Sequence, residues 1–90
     1  MVQIEWSSEK NEILKLTRGI SFEDVENTIM NDQVIDIIPH HNQEKYPHQE
    51  LMIVWIQDYT YYVPFVMTND GIFLKNIIPS RKYHKEYSKE

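Results

Sequence analysis

The stretch that decides the fold is ELMIVWIQDYTYYVPFVMTNDGIFLKNII, residues 50–78. It holds three runs of β-branched and aromatic residues, which are separated only by Asp58-Tyr59 and by the turn TNDG at 68–71. Such runs with such short connections predict an antiparallel meander of three strands. Pro64 in the middle run cannot donate a ladder hydrogen bond, so we expect an edge or a bulge there.

The first strand of the meander is apolar on both faces. Its side chains alternate between two sets: Leu51, Ile53 and Trp55 on one face, and Met52, Val54 and Ile56 on the other. Two short helices are enough to cover only one face of the sheet. The second face therefore needs the C-terminal segment, a second copy of the chain or another protein.

A strand and a short helix are predicted at the start of the chain. Residues 2–6 alternate apolar Val2, Ile4 and Trp6 with polar side chains, which is the period of a half-buried strand. Ser7 or Ser8 can cap the helix that follows. This helix should end at Gly19, a residue suited to a left-handed C-terminal position.

A second helix has the clearer start signal. Ser21 is placed as its N-cap with Asp24 three positions later, and Ile20 can pack against Val25 across the cap. The helix should run to about Asn31, with one apolar stripe that faces a sheet: Phe22, Val25, Ile29 and, beside them, Met30.

The remaining residues complete an α+β domain. Residues 34–38 are predicted as a strand and residues 39–49 as a polar loop. The whole chain, 1–90, is expected to be one domain: a strand, two helices, an antiparallel sheet of about four strands and a short C-terminal helix.

Composition favours a soluble, ordered protein. The chain is 41% hydrophobic and 12% aromatic, which is ample for the core of a 90-residue domain. It has no cysteine, so it lacks a disulfide framework and thiolate metal ligands. No apolar run approaches membrane-spanning length and no apolar signal segment opens the chain, so we expect a cytoplasmic protein without membrane contact.

Positive charge is concentrated at the C-terminal end. The net charge is −5, yet residues 75–90 hold five of the nine basic residues and only two of the fourteen acidic ones. The acidic balance of the rest argues against a broad nucleic-acid surface, because phosphate binding draws on Lys and Arg. A small basic site at one end remains compatible with RNA.

Both ends of the chain resemble the BrnT-like toxins of bacterial type II toxin–antitoxin systems. At the start, the family's Trp, its Lys-Asn-rich helix and its Gly-Val-Ser-Phe-Glu stretch are matched by Trp6, Lys10, Asn11, Gly19, Ile20, Ser21, Phe22 and Glu23. At the end, the family's Ile-Ile-Ser-Ala-Arg-Lys is matched by Ile77, Ile78, Arg81 and Lys82. Tyr83 and His84 stand where the family has Ala-Thr.

The resemblance implies a RelE-like α+β fold and a function. Members of that superfamily are mostly ribonucleases that are silenced by an antitoxin encoded beside them. By resemblance, the chain is expected to cleave mRNA, either free or on the ribosome, without a metal or cofactor, and to bind a cognate antitoxin.

The C-terminal end offers residues for that chemistry. RNA cleavage without a metal needs in-line attack of a 2′-hydroxyl on phosphorus and stabilisation of the charge on phosphate. The planar guanidinium of Arg81 suits this charge, with Lys75 as a second cation. Proton transfer would use His84 or a phenol whose pKa nearby cations lower, Tyr83 or Tyr87. Further RNA contacts are assigned to Lys82, Lys85 and Arg18.

Other interpretations stay open at this point. Tyr83 and Tyr87, four apart on a helix capped by Ser80, could simply pack on the sheet. The chain could be a catalytically inactive interaction module of the same fold, or a homodimer through the second sheet face. A ligand or metal site at His40, His41, Glu44 and His48 has no recognisable ligand spacing, so no metal is predicted.

Overall fold

A mixed β-sheet carries helices on both faces in the computed structural model of the chain, which describes residues 3–87. The strands are β1 (Gln3–Trp6), β2 (Asp36–Pro39), β3 (Glu50–Ile56), β4 (Tyr59–Met67), β5 (Gly71–Leu74) and β6 (Ile78–Pro79). The helices are α1 (Ser8–Arg18), α2 (Phe22–Met30) and α3 (Arg81–Tyr87). Val2, which was predicted as a strand residue, and the C-terminal residues 88–90 lie outside the described residues.

The strands lie in the order β1-β5-β4-β3-β2, and β6 also pairs with β4. The antiparallel meander of β3, β4 and β5 is confirmed. The predicted antiparallel sheet of about four strands is confirmed for β2 to β5. The first strand, β1, makes the whole sheet mixed, because it pairs with β5 in parallel. Gly71 permits this pairing: a Cβ on it would lie 2.0 Å from the carbonyl oxygen of Gln3. The strand predicted at 34–38 begins two residues later.

Pro64 lies in a central strand, so an edge position is excluded. On one side of β4 its partner is Leu51 of β3. On the other side, β5 pairs with residues 65–67 and β6 with residues 61 and 62, so Pro64 falls between the two ladders. Its carbonyl accepts a 2.7 Å hydrogen bond from the N–H of Lys75. The missing donor of the proline therefore faces a gap where no ladder bond is required.

The predicted helix caps are confirmed. Oγ of Ser7 accepts from the N–H of Lys10, and Gly19 closes α1 with a left-handed φ of 67°. At α2 the Oγ of Ser21 accepts from the N–H of Asp24, whose carboxylate accepts from the N–H of Ser21. This reciprocal capping box satisfies two amide donors that the first turn leaves free.

Asn11 joins the two helices. It is only 3% exposed. Its Oδ1 accepts a 2.7 Å hydrogen bond from the N–H of Phe22, and its Nδ2 donates to Oε1 of Glu23 at 2.9 Å. Asn11, Phe22 and Glu23, which carry part of the resemblance described above, are therefore in contact. Their hydrogen bonds hold the start of α2 against α1.

Two core clusters lie on opposite sheet faces. The larger packs α1 and α2 on residues such as Met52, Val54 and Val63. The smaller packs α3 on Leu51 and Ile53, so the C-terminal segment covers the second face. Met30 departs from the predicted stripe: it is 63% exposed, and Thr28 is buried instead. Within residues 3–87, no helix is long and apolar enough to cross a membrane.

Candidate functional site

Helix α3 begins at the predicted cap. Oγ of Ser80 accepts a 3.1 Å hydrogen bond from the N–H of Tyr83, and the carbonyl of Ser80 accepts from the N–H of His84 at 2.9 Å. The N–H of Ser80 donates to the carbonyl of Thr60 on β4 at 3.2 Å. The basic helix is thus fixed to the sheet at its first turn.

Tyr83 and Tyr87 lie on the face of α3 that packs on the sheet. Tyr83 is buried, and its ring meets the ring of Tyr62 edge-on with centroids 5.7 Å apart. The hydroxyl of Tyr87 donates a 2.9 Å hydrogen bond to Oδ2 of Asp36 on β2. The prediction that both rings share one face of a helix is confirmed, and this face packs on the sheet.

Both phenols hold their protons more tightly than an exposed tyrosine does. Burial, and then the charge of Glu86, raises the pKa of Tyr83. The hydrogen bond to Asp36, followed by burial, raises the pKa of Tyr87. The expectation that nearby cations lower these pKa values is therefore wrong, because burial and carboxylates dominate. At neutral pH both phenols are protonated and hold α3 in place.

The side chain of His84 extends from α3 to the ends of β3 and β4 that meet at their turn. Its Nδ1 is 3.1 Å from Oγ1 of Thr60, a fully buried side chain. Its ring stacks on Tyr59 with centroids 4.2 Å apart, and on Trp55 at 5.5 Å. The imidazole is half-buried, its Nδ1 contacts Thr60, and its ring packs on two aromatic rings. These contacts hold α3 against the ends of β3 and β4.

The cations of α3 point to solvent. Arg81, Lys82 and Lys85 are exposed, and Nζ of Lys82 lies 5.4 Å from the centroid of the Tyr83 ring. Within the described range 3–87, none of the three forms an ion pair. Their charges are therefore open to an anionic partner.

Arg18 has a different position from these cations. Its Nη1 donates to the backbone carbonyl of Ile77, 59 residues away in the chain. The contact ties the end of α1 to the connection between β5 and β6. Its charge also opposes the rise in the pKa of Tyr62 that burial and Tyr83 cause.

A groove of about 340 Å³ lies beside α3 on the same sheet face. Tyr62 and Pro64 of β4 line the groove. Lys75, Asn76 and Ile78 form one of its sides. The loop 40–49 forms the other side, with His40, His41, Tyr46 and Gln49. Of the site residues predicted from the sequence, Lys75 alone lines this groove.

His40 anchors the loop. It is 7% exposed, and its Nδ1 accepts a 2.9 Å hydrogen bond from the N–H of Asn42. Its ring packs on His41 and on Tyr46, with both centroid distances at 4.6 Å. Burial first, and then the charge of His41, lowers its pKa. Although residues 39–49 were predicted as a polar loop, His40 is buried in it and is neutral at physiological pH.

His41 and Lys75 face the groove from opposite sides. The exposed His41 ring meets Tyr62 edge-on at 5.7 Å, and Nζ of Lys75 lies 5.5 Å from the centroid of Phe73. Because side chains alternate along a strand, the sequence could have predicted that Tyr62, Pro64 and Lys75 share one face of the sheet. No local pattern in the sequence predicts that the loop 40–49 lies next to them.

Within residues 3–87, no three His, Cys, Asp or Glu side chains are grouped so that they could hold an ion. No protein-family model, no curated protein and no solved structure matches the chain. The groove and the basic helix are therefore the features of the chain that bear on its function.

Proposed function

We propose that the chain is an RNA-cleaving toxin of the BrnT-like kind, acting in the cytoplasm and inhibited by a cognate antitoxin. The observation that carries the proposal is the position of Lys75: it lines an open groove on the sheet face that α3 covers, and α3 presents Arg81 and two lysines to solvent. Cations beside exposed aromatic side chains are typical of surfaces that bind single-stranded RNA.

The proposed reaction uses the RNA's own nucleophile. The 2′ oxygen bonds to phosphorus as the bond from phosphorus to the 5′ oxygen breaks. The 2′-hydroxyl gives up a proton and the 5′ oxygen gains one, which leaves a 2′,3′-cyclic phosphate and a 5′-hydroxyl. Arg81 and Lys75 stabilise the charge on phosphate. An imidazole moves the protons: His84 was predicted from the sequence, and His41 is the second candidate because it borders the groove.

The test is cleavage of a defined RNA by the purified chain, free of any partner and with EDTA present. A 2′-deoxy substitution at the cleaved nucleotide should abolish cleavage, because it removes the nucleophile. Arg81→Ala and Lys75→Ala should each lower the rate by about 100-fold, the cost of losing one group that stabilises transition-state charge.

The matched control is Lys15→Ala. Lys15 is an exposed cation on α1, and its 3.4 Å ion pair with Glu12 is exposed too. The RNA cleavage rate of Lys15→Ala should equal that of the wild type. Equal rates for Arg81→Ala and wild type would remove Arg81 from the reaction. In cells, expression of the wild type should arrest growth, and a co-expressed antitoxin should restore it.

The alternative function is an interaction module of the same fold without catalysis. It is favoured by one observation: Tyr83, His84 and Tyr87, assigned above to proton transfer, all hold α3 on the sheet. Intact RNA in the cleavage assay, together with harmless expression and stable binding of a partner protein, would support this function over the first.

A further inference from the structure

The loop 40–49 is built to hold one shape. Its ends meet in a 3.2 Å hydrogen bond from the N–H of His40 to the carbonyl of Gln49. The carbonyl and side chain of Asn42 accept from the N–H groups of Tyr46 and Lys45, at 2.9 and 3.1 Å. The groove that this loop lines is therefore preformed, so a ligand does not have to order it.

Aromatic rings are the main feature of the loop side of the groove. The Tyr46 ring is half-buried and supported from behind by the buried His40 ring, 4.6 Å away. The His41 ring is exposed and rests edge-on against Tyr62. Supported rings at the edge of a groove are suitable platforms for an unstacked base.

Hydrogen-bond donors occupy the opposite side. Lys75 brings an exposed ammonium group. Oδ1 of Asn76 accepts a 2.8 Å hydrogen bond from the N–H of Ile77. Within residues 3–87 the Nδ2 of Asn76 forms no hydrogen bond, so its amide hydrogens can donate to a ligand. A cation with an adjacent amide donor suits a phosphate group.

We infer that this groove binds a single unstacked nucleotide, with its phosphate at Lys75 and Asn76 and its base against Tyr46 and His41. The inference deepens the proposed function, on which it rests, by assigning a substrate subsite in the groove beside α3. The size agrees: about 340 Å³ is at the lower end of small-molecule pockets, which excludes a folded RNA and admits one nucleotide.

The first measurement is an NMR titration of the full chain with nucleoside 3′-monophosphates. The aromatic resonances of His41 and Tyr46 and the amide of Asn76 should shift together, whereas those of α1 should not. The second measurement is the Kd of a labelled five-nucleotide single-stranded RNA. A much tighter Kd for the RNA than for the monophosphates identifies RNA as the natural source of the bound nucleotide, and the reverse identifies a free nucleotide.

Two variants test the two sides of the groove. Tyr46→Leu should weaken RNA binding about tenfold, the loss of one base stack, and Lys75→Gln should weaken it and reduce its salt dependence. Lys15→Gln is the control and should bind as the wild type does. Because Tyr46 packs on His40, its variant must show wild-type thermal unfolding; the exposed Lys75 variant tests the groove even where Tyr46→Leu unfolds.

Wild-type affinity in Lys75→Gln, with shifts confined to α3, would overturn the inference. The outcome is separable from that of the proposed function, because no step of the binding assay requires cleavage. Nucleotide binding in the groove without cleavage leaves the inference standing and removes the ribonuclease. RNA cleavage without shifts at His41, Tyr46 and Asn76 in the titration would overturn the inference and leave the ribonuclease standing.

Discussion

The hydroxyl of Tyr87 donates a 2.9 Å hydrogen bond to Oδ2 of Asp36, which joins the last turn of α3 to the edge strand β2. Tyr87→Phe removes this bond and little else. It should lower the free energy of unfolding by about 0.5–1 kcal/mol, the modest value of a hydrogen bond that water partly screens. Urea unfolding measures the loss.

The matched control for that prediction is Tyr61→Phe. Tyr61 lies on β4, which β3 separates from β2, and is also half-buried, but within residues 3–87 its hydroxyl forms no hydrogen bond. The control should lose less than Tyr87→Phe does. Equal losses in the two variants would show that the bond to Asp36 adds no stability of its own.

Alkaline pH should loosen α3. The pKa values of Tyr62, Tyr83 and Tyr87 are all raised, Tyr62 and Tyr83 chiefly by burial and Tyr87 chiefly by its bond to Asp36. The unfolded chain therefore loses these protons first, at about pH 10. The stability that they contribute is complete below that pH and is lost as the pH rises further.

Urea unfolding at pH values from 8 to 11 checks this prediction. The free energy of unfolding should fall above pH 10, and the fall should be smaller in Tyr83→Phe, which cannot ionise at that position. The decisive quantity is the difference between variant and wild type, because all other side chains are the same in both. The same pH slope in both would contradict the prediction.

Acidic pH should open the loop 40–49. Burial lowers the pKa of His40 below its ordinary value of about 6.5. The unfolded chain therefore takes up this proton at higher pH than the folded chain does, so stability is complete above pH 6.5 and decreases as the pH falls below it. Amide exchange across the loop between pH 7.5 and 5.5 should report the opening.

The variant for this prediction is His40→Asn. Its side-chain oxygen can accept from the N–H of Asn42 as Nδ1 of His40 does, but it does not titrate, so the acid-dependent opening should disappear. His48→Asn is the control, because His48 is an exposed histidine of the same loop. Acid sensitivity that follows His48 instead of His40 would refute the assignment.

Local rules were sufficient where the signal and the structure involve the same few residues. The capping box of Ser21 and Asp24 and the shared face of Tyr83 and Tyr87 depend only on positions three and four apart, and the structure has both. The alternation along β3 likewise separated Leu51 and Ile53 from Met52, Val54 and Ile56 between the two core clusters. Trp55, which is 41% exposed, belongs to neither cluster.

The sequence did not predict features that depend on distant pairing. The parallel partner of β1 is β5, almost seventy residues on, and no pattern within either strand names the other. The groove needs the loop 40–49 to return over Tyr62, and burial of His40 follows from that return. The basic composition of the C-terminal end drew the predicted site to α3, and only Lys75 connects that prediction with the groove.

The contact of Asn11 with the start of α2 gives the last prediction. Asn11→Ala leaves the N–H of Phe22 without its acceptor in a buried place, which should cost about 2–3 kcal/mol of unfolding free energy. Because the bond from Asn11 is the main cause that lowers the pKa of Glu23, the variant should also lose less stability than the wild type as the pH falls through about 4.3. Asn27→Ala, an exposed asparagine on α2, should change neither quantity. A loss below 1 kcal/mol in Asn11→Ala, by urea unfolding at pH 7, would mean that the two helices do not depend on this side chain.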